Sequence, residues 1–271
     1  MKKEKLRELI IKEAEKKGLH FNQVLMIVAY ERAIARLVQN ESLSESVIFK
    51  GGVVMRMAYG SNRFTKDLDA SFEGIAEEEM KREVIGALRT DLDDCFEFEL
   101  GEWSEITSEK NYSGHRYTST FKFCGSSIQT LQFDFTISEF IGSGINKKLD
   151  GLMFDGVVSA NIYSPEMILA EKIQTIVVRG GDNTRAKDIY DINFLLQSPI
   201  DRKLFKTLVN KVFKIRQTEI PESFTNLLQI PTDSLEKSWS KYRDKLRGAE
   251  FVNIWEEFSK SLEKIDNNYR G

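Results

Sequence analysis

Two aspartates stand two residues apart, Asp67 and Asp69, in a stretch predicted to form a β-strand over residues 67–73. Residues two apart on a strand point to the same face, so the two carboxylates are expected to lie side by side. Adjacent carboxylates repel each other unless a cation lies between them. Mg²⁺ is the natural candidate, because it takes oxygen ligands and is usually bound by one or two carboxylates together with substrate phosphates. The pair therefore predicts a metal site, with Mn²⁺ as the alternative ion.

A Gly-Gly pair upstream supplies the second half of the predicted site. Gly51 and Gly52 follow a short apolar run predicted to be a strand, and a short helix is predicted to begin at about Val53. Glycine lets a ligand approach the main chain, and a helix start directs free N–H groups and a positive dipole end at an anion. Arg63 and Thr65 add a cation and a hydroxyl, so the spacing predicts a phosphate chain that bridges the helix start and the metal.

These residues, in this order, resemble the nucleotidyltransferase superfamily typified by DNA polymerase beta, with its apolar-Gly-Gly motif followed by Asp-apolar-Asp. The fuller strings FKGG at 49–52 and RFTKDLD at 63–69 are similar to the AbiEii/AbiGii branch, which comprises nucleotidyltransferase toxins of type IV toxin–antitoxin and phage-defence systems. The similarity extends from about Phe49 to Leu196. Two positions depart from the family pattern: Thr65, where many relatives have serine, and Val53, where a hydroxyl residue is common.

The resemblance also implies a third carboxylate. In this superfamily it lies on a strand between apolar residues, and Asp134 lies between two phenylalanines in the predicted strand 130–138. The pattern alone leaves open an outward-facing polar residue on a two-sided strand. By resemblance, two Mg²⁺ ions would be held by Asp67, Asp69 and Asp134, and Asp134 would orient or deprotonate the attacking hydroxyl.

Charged residues are concentrated again between positions 171 and 191. Lys187 and Asp191 are four residues apart, which is also the spacing of an ordinary helix salt bridge. Relatives carry an Ala-Glu-Lys helix and then an Arg-x-Lys-Asp-x-x-Asp helix, matched here by residues 170–172 and 185–191. The resemblance implies that Lys172 contacts nucleotide phosphate and that Asp191 completes the active site. It adds four residues to the site in all: Lys172, Lys187, Asp188 and Asp191.

The predicted fold class is α+β, with a nucleotidyltransferase-type mixed β-sheet, N-terminal helices and a mostly helical C-terminal part. Residues 1–160 are expected to form the nucleotidyltransferase domain, and residues 161–271 a helical domain that contributes Lys172 and Asp191 to the site. Ser164 and Pro165 are favoured as the N-cap and the first residue of a helix. The other predicted helices cover residues 2–17, 21–39, 76–94, 184–197, 201–216 and 233–264, and further strands cover 96–100 and 117–123.

The composition excludes several classes of protein. The 271 residues are 41% hydrophobic and 30% charged, as in ordinary globular proteins. A net charge of −3 argues against a wholly basic nucleic-acid coat. No apolar run approaches the length of about 20 residues that crosses a bilayer, and the charged N-terminus does not resemble a signal peptide. Cys95 and Cys124 match no metal spacing, so we expect a reducing, cytoplasmic location and no membrane partner.

A basic segment near the C-terminal third gives a weaker signal. Residues 203–216 combine an apolar helical face with five positive charges and no acid. The functional interpretation is a surface that contacts RNA phosphates. The alternatives are a solvated charged face and a membrane-binding surface, and the apolar face fits a domain core better than a membrane.

The sequence as a whole predicts a metal-dependent enzyme that transfers a nucleoside monophosphate from an NTP and releases pyrophosphate. By resemblance, the acceptor is the 3′ end of tRNA, and a cognate antitoxin protein is a partner. Two alternatives stay open. The acceptor could be a protein or a small molecule, or the chain could be a catalytically silent module that binds a nucleotide or docks an antitoxin.

Overall fold

The computed structural model describes residues 3–63, 65–107, 113–137, 144–151, 158–240 and 250–271. The chain divides into two compact units. The first carries the β-sheet and the N-terminal helices, and the second includes Ser61–Arg63 and the helical region from Tyr163 onward. The predicted α+β class with a mixed sheet is confirmed. No helix in the described ranges is long and apolar enough to span a bilayer.

The helices of the first unit follow the apolar periodicity of the sequence. The described ones are α1 (Lys3–Lys17), α2 (Phe21–Gln39), α3 (Glu41–Ser44), α4 (Gly51–Tyr59) and α5 (Glu77–Leu88). The prediction for α5 ran too long, to residue 94. Beyond Leu88, aspartate side chains bond to nearby backbone and compete with the helix: Asp91 accepts from the Asp93 N–H, and Asp94 accepts from the Phe96 N–H.

Eight described strands form one sheet in the first unit. They are β1 (Val47–Lys50), β2 (Asp67–Phe72), β3 (Phe96–Phe98), β4 (Glu102–Thr107), β5 (Ser113–Phe123), β6 (Ser126–Ile137), β7 (Gly144–Leu149) and β8 (Val158–Tyr163). Their order is β3-β5-β6-β2-β1-β8-β7, and β4 also pairs with β5. β2 runs parallel to β6 and antiparallel to β1, and β5 runs antiparallel to β6. The sequence did not predict β4.

The two faces of the central strands have different characters. Phe133 and Phe135 on β6 are fully buried, and Phe135 packs edge-on against Phe72 of β2. Tyr30 of α2 packs against Phe133 and donates a hydrogen bond to the Lys66 carbonyl. Because side chains alternate along a strand, this packing leaves the intervening polar residues on the opposite face of the sheet. The hydrophobic core therefore fixes the direction in which the aspartates point.

The second unit is helical. Its described α-helices are α6 (Pro165–Arg179), α7 (Ala186–Leu195), α8 (Arg202–Ile215), α9 (Asp233–Ser240) and α10 (Phe251–Arg270), with 3-10 turns at Gly180–Asp182 and Phe224–Gln229. The Ser164 hydroxyl caps α6 by accepting from the Met167 N–H at 3.2 Å, as predicted. The helix predicted over 233–264 is represented by α9 and α10, and residues 241–249 lie outside the described part.

Candidate active site

Three aspartates meet on the polar face of the sheet. In the parallel pairing of β2 with β6, Asp69 lies directly opposite Asp134, and Asp67 lies two residues before Asp69. Each of the three offers a carboxylate oxygen, and these oxygens lie within 4.8 Å of one another. All three residues are half-buried. Hard divalent cations such as Mg²⁺ take oxygen ligands of this kind, so this donor set fits a metal site.

The register extends this arrangement into a row across four strands. Lys50 on β1 pairs with Asp69, Asp69 pairs with Asp134, and Asp134 pairs with Arg116 on β5. Laterally paired residues share a face of the sheet. Consistent with this, Lys50 Nζ donates to Thr136 Oγ1 at 3.2 Å on the strand that carries Asp134. Two acids are therefore flanked by a cation on each side.

Arg116 is a candidate site residue that the sequence did not reveal. Its Nε donates to one Asp134 oxygen and its Nη2 donates to the other, both at 2.7 Å. The hydrogen bonds to Asp134 raise the pKa of the guanidinium above its ordinary value. The side chain of Arg116 is 36% exposed, whereas that of Asp134 is 19% exposed. A bidentate pair of this type is among the stronger polar contacts in proteins.

Thr65 lies against the first aspartate. Its hydroxyl donates to Asp67 Oδ1 at 2.5 Å, and the residue is buried. This contact holds the Asp67 carboxylate in one orientation. A serine hydroxyl could do the same, so the departure from the family pattern at this position preserves the contact.

The Gly-Gly pair begins a helix and does not form a separate turn before it. α4 starts at Gly51, two residues earlier than the predicted Val53, and Lys50 occupies the N-cap position. Gly51 has a φ of +72°, and a Cβ added there would lie 1.8 Å from Asp69 Oδ2. The absence of a side chain therefore allows both the backbone conformation and the close approach of the carboxylate. Gly52 is buried in the first turn of α4.

The second unit holds a cluster of five charged side chains, all largely buried except Arg185, whose side chain is 40% exposed: Arg63, Lys172, Arg185, Asp188 and Asp191. Lys172 Nζ lies 2.6 Å from Asp188 and 2.8 Å from Asp191. Arg63 donates to both oxygens of Asp191 at 2.8 and 3.0 Å, and Arg185 donates to Asp188 at 2.5 Å. The two carboxylates are no more than 1% exposed. The structure thus brings together four of the predicted site residues, namely Arg63, Lys172, Asp188 and Asp191. Arg63 pairs with Asp191.

Electrostatics within this cluster favour the charged forms of Asp188 and Lys172. Burial alone would raise the pKa of Asp188, but Lys172 and Arg185 outweigh it and hold that pKa well below the ordinary value. Burial would lower the pKa of Lys172, and the two carboxylates reverse that effect and raise it. Three cations face two carboxylates, which leaves a net charge of +1 among the five. Lys187, the remaining predicted residue, is half-buried on α7.

Comparison with known proteins identifies similar sequences and folds. A family model described as nucleotidyl transferase AbiEii toxin, type IV TA system, matches residues 32–264. MenT4, a nucleotidyltransferase toxin from Mycobacterium tuberculosis H37Rv, has a similar fold, with a TM-score of 0.57 and 16% identity over 97% of this chain and 98% of that one. A candidate nucleotidyltransferase from H. pylori gives a TM-score of 0.52 and 16% identity over 89% and 93%. No curated protein gives a significant match.

Proposed function

Since the chain belongs to the AbiEii family of nucleotidyltransferase toxins of type IV toxin–antitoxin systems, we propose that it transfers a nucleoside monophosphate from an NTP to the 3′ end of tRNA in the cytoplasm. Family membership gives the enzyme class. The metal dependence, the acceptor and the roles of individual residues are parts of the proposal.

The observation that carries the proposal is the convergence of Asp67, Asp69 and Asp134 from two adjacent parallel strands. Asp67 and Asp69 would hold two divalent ions, most simply Mg²⁺, and Asp134 would bind one of them. Ions bound there would stabilise charge on the attacking and leaving oxygens. Asp134 would also orient or deprotonate the acceptor hydroxyl, while Thr65 keeps the Asp67 carboxylate in position.

The triphosphate requires neutralising groups from the chain itself. The start of α4 at Gly51 and Gly52 offers backbone N–H groups and a positive dipole end beside Asp69, a common way of binding phosphate. In the charged cluster of the second unit, Lys172 would contact phosphate by its family-derived role, and its ammonium is positioned by Asp188 and Asp191. The proposed site residues of that cluster, together with its neighbour on α7, are Arg63, Lys172, Lys187, Asp188 and Asp191.

The basic face of α8 supports an RNA acceptor. The helix buries Phe205, Leu208 and Val212 as predicted, and this leaves its lysines on the outer side. Lys203, Lys206 and Lys214 are exposed. Lysine clusters of this kind neutralise the backbone phosphates of a nucleic acid and release its counterions, whereas a small-molecule acceptor has no such row of phosphates to contact.

The enzymatic proposal is tested by incubating the purified protein with each labelled NTP, Mg²⁺ and total RNA, and by following which macromolecule gains label. We expect label in the tRNA fraction. Asp67→Asn and Asp69→Asn should abolish it with the fold intact, because amides coordinate Mg²⁺ poorly. Asp150→Asn removes an exposed carboxylate of the same unit and should transfer normally. Label in the protein fraction would show that the acceptor is a protein and not RNA. Full activity of either aspartate variant would refute the metal assignment.

A toxin should also arrest growth when it is produced without its antitoxin. We expect induced expression of the wild-type chain to stop growth and expression of the Asp67→Asn variant to be tolerated at the same protein level. Equal toxicity of the two proteins would separate growth arrest from nucleotidyl transfer and would favour a catalytically silent, docking role.

A further inference from the structure

Arg116 occupies the same atoms of Asp134 that a metal ion would need. A carboxylate offers two oxygens, and both accept a hydrogen bond from the Arg116 guanidinium at 2.7 Å. The β5–β6 register places the two residues directly opposite each other, so the contact is built into the sheet and does not depend on a loop.

The guanidinium and a divalent cation are incompatible neighbours at this carboxylate. They would share the same two oxygens, and they repel each other, because charges a few ångströms apart near a protein surface interact strongly. Arg116 is long, unbranched and one-third exposed, so its side chain has room to leave Asp134. Asp134 lies on a central strand above a packed aromatic core and has no comparable freedom.

We propose that Arg116 and the divalent metal exchange at Asp134, so that Arg116 raises the metal concentration needed to occupy the site. Arg116 pairs with Asp134 when metal is scarce, and metal binding breaks the bidentate pair. The inference rests on the proposed function, because it assumes that Asp134 is a metal ligand. It makes Arg116 a determinant of metal affinity.

An orienting role for Arg116 predicts the opposite sign. Groups that hydrogen-bond to a metal ligand and hold it in position usually increase metal affinity, and their loss costs about 10- to 100-fold. Exchange predicts that removing Arg116 tightens metal binding, since a charge-assisted hydrogen bond no longer has to be broken. The gain should be at least about tenfold. The direction of the change therefore separates the two roles.

The experiment is a titration of the nucleotide-free protein with Mn²⁺, in which free ion is measured by electron paramagnetic resonance. Arg116→Ala and Arg116→Gln should bind Mn²⁺ at least about tenfold more tightly than wild type. Lys122→Ala is the matched control, because it removes one positive charge from the same strand at a residue that pairs with Glu99, and it should bind as wild type does. Unchanged or weaker binding by both Arg116 variants would overturn the inference.

Two further measurements keep the result interpretable. Thermal melting with and without Mn²⁺ reports both folding and binding, since a ligand of the native state raises the melting temperature. The Arg116 variants should show the larger Mn²⁺-dependent rise, and a smaller rise than wild type would contradict exchange. Asp67→Asn in the same titration tests the site itself. If it binds Mn²⁺ like wild type, the proposed function loses its metal site. If it loses Mn²⁺ while Arg116→Ala is unchanged, only the exchange fails.

Discussion

Gly51→Ala is a one-carbon change that should disable the candidate site. Gly60→Ala, at the other end of α4, is its control. Gly51 and Gly60 stand at the two ends of the helix, and both have a positive φ, of +72° and +76° respectively. Their surroundings differ. A Cβ at Gly51 would lie 1.8 Å from Asp69 Oδ2, whereas a Cβ at Gly60 would meet nothing within 4 Å. The two alanine variants therefore both carry a backbone cost and differ in the clash with Asp69.

The magnitudes follow from these distances. Placing alanine at a positive φ costs at least about 1–2 kcal/mol of unfolding free energy, and both variants should be destabilised for this reason. In Gly51→Ala the Asp69 carboxylate must also retreat by more than 1 Å to reach an acceptable contact. A misplacement of about 1 Å in a catalytic group can lower the rate about 100-fold. We therefore expect Gly51→Ala to lose at least about 100-fold in transfer, and Gly60→Ala to keep most of its activity despite its own loss of stability.

The assay is a comparison of chemical denaturation with initial transfer rates at a temperature where both variants are folded. Mn²⁺ binding by the same proteins shows whether the damage is at the metal ligands. If both variants keep the activity of the wild type, the reasoning is refuted, because contact with Asp69 then has no consequence for the site. Equal inactivation would point to the position of α4 as a whole, and it would also contradict the specific role given to Gly51.

Three other predictions concern the second unit. Lys172→Ala should lower the unfolding free energy by about 3–5 kcal/mol, because it leaves two buried carboxylates without their shared cation; a stable variant in a denaturation experiment would contradict this. Asp188 has a depressed pKa, so its stabilising contribution is complete above the ordinary carboxyl pKa and is lost as pH falls below it. Wild type should therefore lose more stability than Asp188→Asn between pH 5 and strongly acidic pH, and parallel curves would refute the assignment. Replacing four lysines of α8 by glutamate should weaken RNA binding and flatten its salt dependence, while NTP binding survives. The four are Lys203, Lys206, Lys211 and Lys214. Equal salt slopes for wild type and variant in a binding titration would show that α8 does not contact the RNA.

The elements that carry the site were predictable because their signals are local. The strand at Asp67 and Asp69 follows from alternation, and the start of α6 follows from Ser164 and Pro165. Both signals depend on residues only a few positions apart. The start of α4 was predicted two residues late, because Gly51 at a positive φ can be included in the helix as its first residue.

Contacts between distant segments were not predictable in the same way. The pair between Arg63 and Asp191 joins residues 128 positions apart, and the sequence suggested a phosphate partner for Arg63. β4 was missed because its segment has few apolar residues, and what identifies it is the antiparallel pairing with β5. In both cases the determining contact joins segments whose pairing is not encoded by neighbouring residues in the sequence.

Arg116 shows most clearly what strand register adds to a motif. A motif can name acids that lie on two strands, but only the pairing of β2 with β6 places Asp69 opposite Asp134, and only the pairing of β6 with β5 places Arg116 beside them. A shift of one residue in either pairing would turn the facing side chain to the other side of the sheet. The buried phenylalanines on either side of Asp134 prevent that shift, because it would expose them. The apolar face of β6 therefore fixes the polar face, and the proposed exchange between Arg116 and a metal depends on the packing of Phe133 and Phe135.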